Sequence, residues 1–125
     1  MKYKGLIIFI VAVVLLGAGI YFLQKIPPKS GALDSFATCL KDKGVLFYGA
    51  FWCPHCANQK ALFGRSVNKL PYIECSTPDG NGQTQICIDK KIETYPTWIF
   101  PDGTTETGEL TLAHLAEKSN CQLPQ

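Results

Sequence analysis

Residues 5–23, from Gly5 to Leu23, carry no charge and are almost wholly aliphatic or aromatic. Nineteen residues at the α-helical rise of about 1.5 Å span about 28 Å, close to the hydrocarbon thickness of a bilayer. Tyr3, Tyr21 and Phe22 sit near the ends, where aromatic rings favour the membrane interface. The rival reading is a cleaved signal peptide, whose apolar core is usually shorter and ends in a small-x-small site. Here Ala18-Gly19-Ile20 runs into bulky Tyr21, Phe22 and Leu23, and no cysteine follows closely enough for a lipoprotein. An uncleaved anchor in the lipid bilayer, within residues 1–25, is therefore expected. Ile26-Pro27-Pro28-Lys29-Ser30-Gly31 reads as a short, stiff linker over 26–31 that no helix continues through.

Residues 32–125 then form one small domain. Leu33, Phe36, Ala37 and Leu40 recur at helical spacing, and Gly44 closes that helix. Val45-Leu46-Phe47-Tyr48 is a continuous apolar run, as in a strand buried on both faces. Gly49-Ala50-Phe51-Trp52 leads into Cys53-Pro54-His55-Cys56. Pro54 suits a first helical turn, which predicts a helix from Cys53 to about Val67, with Gly64 weakening its end.

Pro71 to Glu74 reads as a second strand, and Cys75 to Gly82 as a polar loop with turns at Asp79-Gly80 and Asn81-Gly82. Gln83 to Lys90 is a short helix. Thr97 to Phe100 and Thr105 to Thr107 pair across the turn Pro101-Asp102-Gly103-Thr104. Thr111 caps a last helix, Leu112 to Ser119. The order α-β-α-β-α-β-β-α predicts an α/β sandwich with a mixed central sheet.

Charge adds less than its total suggests. The chain has 12 Lys and Arg against 10 Asp and Glu. Lys2, Lys4, Lys25 and Lys29 flank the apolar segment, and without them the domain is mildly acidic. No Lys/Arg cluster with interleaved aromatics appears, so nucleic-acid binding is not expected. Two lysines on each side of the anchor leave the positive-inside rule nearly silent. The six cysteines decide instead. Stable disulfides need an oxidising compartment, which places the N-terminus in the cytoplasm and the domain outside the cell membrane.

The chemistry concentrates in Cys53-Pro54-His55-Cys56. Free N–H groups and the dipole at a helix N-terminus stabilise an anion, so the Cys53 thiolate is favoured and its sulfur is expected to be exposed. Cys56, one turn inward, is expected to be more buried. Cys53 then attacks and exchanges, and Cys56 resolves the mixed disulfide. A partly protonated His55 stabilises the thiolate further, which makes the disulfide a stronger oxidant. Two rivals remain: a zinc half-site completed by Cys75 and Cys87, which lack knuckle spacing, and a structural disulfide within the turn. Pro96 is a second candidate, because it opens a strand in Thr94-Tyr95-Pro96-Thr97-Trp98. His114, among Leu112, Leu115 and Ala116, reads as a surface or helix-edge residue.

A strand leading to Trp52-Cys53-Pro54-His55-Cys56 at a helix start, with Tyr95-Pro96-Thr97 opening a later strand, resembles the thioredoxin fold. That resemblance implies a cis Pro96 against the dithiol and a Tyr95 backbone that, with Trp52, meets the substrate. The run Tyr48 to Cys56, then Gln59-Lys60, Leu62-Phe63-Gly64, Tyr72-Ile73-Glu74-Cys75 and Tyr95-Pro96-Thr97-Trp98, is similar to the thioredoxin-like domain attached to vitamin K epoxide reductase homologues of bacteria and plants. The similarity covers about residues 33–120. It implies a domain that exchanges disulfides with a membrane reductase and passes oxidation to thiols of exported proteins. The sequence carries a single apolar segment and no four-helix reductase, so a separate reductase is the implied partner.

The tetrapeptide also resembles that of DsbA-type oxidases. Thioredoxins carry a buried acid six residues before the first cysteine, where this chain has Phe47, so Cys56 must lose its proton by another route. The resemblance supports a Cys75–Cys87 disulfide, Cys39 with Cys121 is the remaining pair, and a relay that shuttles electrons to Cys53–Cys56 is the functional alternative for either. No cofactor or metal is expected. The leading function is a membrane-anchored disulfide-introducing oxidoreductase. A reductant or isomerase of the same fold, and a non-catalytic disulfide-stapled interaction domain, are the alternatives.

Overall fold

The computed structural model describes residues 2–24 and 30–124. Most of the expected linker, 26–31, lies outside the described residues. Helix α1 runs Lys2–Gln24, and its stretch Tyr3–Tyr21 is long and apolar enough to cross a membrane. No residue of that stretch is buried against protein, which leaves its apolar surface for another medium.

The domain follows the expected order: α2 Asp34–Asp42, β1 Leu46–Gly49, α3 Pro54–Ala61, β2 Tyr72–Glu74, α4 Gln85–Asp89, β3 Thr97–Ile99, β4 Thr105–Thr107 and α5 Leu112–Ser119. Four strands make one mixed sheet in the order β2-β1-β3-β4. β1 pairs parallel with β2, which the intervening α3 crossover requires, and antiparallel with β3. β3 and β4 form the terminal hairpin.

The helix expected from Cys53 to about Val67 falls furthest short of its pattern, while α4, β2 and β3 lose one to three residues at their ends. α3 stops at Ala61, and a 3-10 segment, Gly64–Lys69, replaces its last turns. Gly64 is the reason. Its φ of +52° lies in the left-handed region, which an α-helix cannot continue through. The break lets Phe63 stack on Phe36, ring centroids 6.0 Å apart, and lets Ser66 Oγ accept from Leu33 N.

Side chains alternate along β1 and divide the core between the two faces of the sheet. Phe47 joins Phe36, Ala37, Leu40, Trp98, Phe100 and Leu115 beneath α2, α3 and α5. Tyr48 joins Cys75, Cys87 and Ile92. Each cluster holds one disulfide. Cys39 and Cys121 join the two ends of the domain across 82 residues, and Cys75 and Cys87 close a 12-residue span. Thr111 Oγ1 accepts from His114 N and caps α5, and Asn120, at φ +56°, ends it.

Candidate active site

β1 delivers the chain through Ala50-Phe51-Trp52 to the N-terminus of α3. Cys53 is the N-cap residue, in extended backbone, and Pro54 takes the first helical position. Cys56 N donates to Cys53 Sγ at 3.2 Å, and the two sulfurs lie 2.7 Å apart. An N–H aimed at Cys53 Sγ is the kind of donor that stabilises a thiolate. Both sulfur residues are free of the structural disulfides.

Cys53 is not the exposed sulfur that its helix-start position suggests. It is 5% exposed and Cys56 1%, so both belong to the buried core. The reason is the segment across from them. The Tyr95–Pro96 peptide is cis, and Tyr95 O sits 3.8 Å from Cys53 Sγ. Burial and the bond with Cys53 push the Cys56 thiol up to about 12.

The rim around Cys53 is aromatic. Trp52, 54% exposed, sets its ring edge-on to Tyr95 at 5.9 Å and donates from Nε1 to Ser76 Oγ. Gln83 Nε2 donates to both Tyr95 OH and Ile92 O at 2.7 Å. Ser76 and Gln83 belong to the loop between Cys75 and Cys87, so that disulfide braces the partners of both rim aromatics.

His55 is 68% exposed. Its Nδ1 meets Glu109 Oε1 at 2.6 Å, which requires the hydrogen on Nδ1. Asn58 donates to the same oxygen. The His55 bond, then that of Asn58, holds the Glu109 carboxyl below its usual range.

Behind Cys56 stands Gly49. A Cβ there would lie 2.9 Å from Cys56 Sγ and 2.9 Å from Tyr72 Cε2, so only glycine lets sulfur and ring close on β1. Tyr72 OH donates to Glu74 Oε2. Glu74 Oε1 accepts from Phe51 N and Ser76 N. Glu74 thereby fastens the backbone before Cys53 to the partner loop of Trp52. Cys75 and Cys87 are joined to each other, away from zinc ligation. Among the described residues, no group of three or more His, Cys, Asp or Glu side chains gathers as a metal site would require.

No family model matches the chain. The chain is similar to the thiol-disulfide oxidoreductase LTO1 of Arabidopsis thaliana. The two are 38% identical over 138 aligned positions, which take in 93% of this chain and 36% of that protein. The chain thus spans about a third of the length of this relative.

The structure brings Cys53, Cys56, Trp52, Tyr95 and Pro96 into one locus and carries His55 to its edge. It keeps His114 apart, where Nε2 meets Glu106 Oε2 at 2.6 Å. Sequence reasoning gave no role to Gly49, Gln59, Tyr72 or Glu74, although they lie in the runs that carry the resemblance, and it missed Glu109 altogether. Period-2 strand signals hint at Tyr72 and Glu74 sharing one face of β2. Nothing local announces Glu109, whose partners lie 51 and 54 residues away.

Proposed function

We propose that this chain is a membrane-anchored thiol–disulfide oxidoreductase that introduces disulfides into exported proteins. The observation that carries the reading is the pair of sulfurs 2.7 Å apart at the N-terminus of α3, facing the Tyr95 carbonyl. The similarity to a plant protein named for thiol–disulfide oxidoreduction supports it.

In the oxidised site, a client thiolate attacks Cys53 Sγ. The Cys53–Cys56 bond breaks, Cys56 leaves with the electron pair and takes up a proton, and a client–Cys53 disulfide forms. A second client thiolate attacks the client sulfur of that bond. The client leaves oxidised by two electrons, and Cys53 and Cys56 remain as the dithiol. The Tyr95 backbone and Trp52 form the edge along which the client lies, Pro96 shapes that edge, and His55 tunes the Cys53 thiolate.

A vitamin K epoxide reductase-type membrane protein is the proposed acceptor that restores the disulfide. Residues 1–25 form the cytoplasmic end and anchor, 26–31 the linker and 32–125 the extracytoplasmic domain. The two structural disulfides support that orientation, because such bonds persist in oxidising compartments.

The test is trapping in cells. Cys56→Ser is expected to accumulate mixed disulfides between Cys53 and exported proteins, visible as reducible adducts, while Cys53→Ser forms none. Adducts in both variants, or in neither, would overturn the reading.

A further inference from the structure

Thiol–disulfide exchange passes a negative charge through Cys56 whichever way its electrons run. When a thiolate attacks Cys53 in the disulfide, Cys56 departs as a thiolate. When Cys56 resolves a mixed disulfide, it attacks as one. Burial opposes that charge. Phe47 offers no help from the strand beneath, because its ring stacks on Trp98 at 4.4 Å.

A cation stands on the same wall. Lys60 follows Cys56 by four residues on α3, which sets both side chains on one helical face. Its Nζ lies 3.3 Å from the centre of the Tyr72 ring. The edge of that ring and the Cys56 sulfur are each 2.9 Å from the point where a Gly49 Cβ would stand. Tyr72 and Cys56 therefore flank Gly49 on one wall, and Lys60 caps the Tyr72 ring of that wall.

The other titratable groups around Cys56 do not supply a positive charge. Tyr72 OH is committed to Glu74, and burial keeps the phenol protonated. Glu74 is an acid spent on Phe51 N, Ser76 N and Tyr72. Cys53 is the reaction partner, and His55 is paired with Glu109. Two contributions favour the Cys56 thiolate, the hydrogen bond with the Ala50 backbone first and the Lys60 charge after it, and Lys60 is the one that brings a positive charge.

We propose that Lys60 is a further residue of the exchange reaction, stabilising the thiolate that forms on Cys56 through its station on the Tyr72 ring. The inference rests on the exchange chemistry proposed above. The step balances without a further reactant. The incoming thiolate brings the electron pair that makes the new bond to Cys53, and Cys56 keeps the pair of the broken bond. A proton from water then neutralises it.

The experiment is rapid-mixing reduction of the Cys53–Cys56 disulfide by dithiothreitol between pH 6 and 10. It compares the full chain in detergent micelles with Lys60→Met and Lys60→Arg. Lys60→Met is expected to slow reduction about three- to tenfold, since a thiol of higher pKa leaves more slowly. Lys60→Arg is expected to restore most of the rate. The melting temperature and the potential at pH 7 are expected to stay put, because the product Cys56 is a neutral thiol in all three.

A Lys60→Met rate within a factor of two of the parent would overturn the proposal. So would equal losses in both variants accompanied by lower melting temperatures. A second readout separates this inference from the exchange reading. In Cys53→Ser backgrounds, Lys60→Met should raise the pH at which iodoacetamide captures Cys56. If the parent exchanges no disulfides yet this pH moves, the exchange reading fails and the electrostatic role stands. If the parent exchanges and the pH does not move, the role of Lys60 fails.

Discussion

Gln59 and Leu110, 51 residues apart, are joined in both directions. Gln59 Nε2 donates to Leu110 O at 3.0 Å, and Leu110 N donates to Gln59 Oε1 at 2.7 Å. Gln59 is fully buried, so its amide acts as a piece of backbone that ties the segment after β4 to α3. Glu109, the partner of His55, is the residue next to this clamp.

Gln59→Leu keeps the volume and removes both bonds. It leaves the Leu110 N–H and C=O facing an apolar side chain, at a cost of about 2–4 kcal/mol. Urea denaturation is expected to show that loss. A smaller one, under about 0.5 kcal/mol, would mean that the segment finds other partners.

Gly49→Ala places a methyl 2.9 Å from both Cys56 Sγ and Tyr72 Cε2. Neither can retreat easily, since one sits in the core and the other is held by Glu74. Destabilisation of about 1–3 kcal/mol is expected, with slower exchange at the dithiol. Thermal melting alongside dithiothreitol reduction kinetics checks both halves.

The raised Cys56 thiol predicts a pH window. In the reduced protein, capture of Cys56 by iodoacetamide is expected to rise steeply only as the pH approaches about 12. A thiol raised from its ordinary 9.0 favours the folded state fully below that pH. The contribution drains away as the pH climbs from about 9 toward about 12. The disulfide form has no such group, so urea midpoints of the two forms should diverge above pH 9, and mass mapping follows the Cys56 adduct against pH.

The two structural disulfides should differ in worth. In the chain-entropy picture, the Cys75–Cys87 link contributes about 3 kcal/mol and the much longer Cys39–Cys121 span about 4.5 kcal/mol. Paired serine substitutions, compared by denaturation, are expected to keep that order. Loss of Cys75–Cys87 should in addition slow exchange, because Ser76 and Gln83 in its loop hold Trp52 and Tyr95.

Local chemistry made much of this fold readable from the sequence. The spacing of Leu33, Phe36, Ala37 and Leu40, the Thr111 cap and the Pro101–Thr104 turn each act over a few residues, and their elements stand where the pattern puts them. Gly64 marked the weak point, and its left-handed φ of +52° is where the α-helix gives way to the 3-10 segment. The dithiol was legible because Cys-Pro-His-Cys is contiguous. Its burial was not, because the covering Tyr95 carbonyl comes from 42 residues away. Glu74, Tyr72 and Gln59 escaped for the same reason, as their roles exist only once β2 lies beside β1 and the segment after β4 meets α3.

The decisive measurement is the redox potential of the Cys53–Cys56 pair, read by equilibration with glutathione buffers and quantified by alkylation. A disulfide-introducing site is expected to titrate as one two-electron couple near about −120 mV. A potential near about −270 mV, the range of thioredoxin reductants, would contradict the proposed direction, and a pair that never equilibrates with glutathione would contradict the exchange chemistry itself.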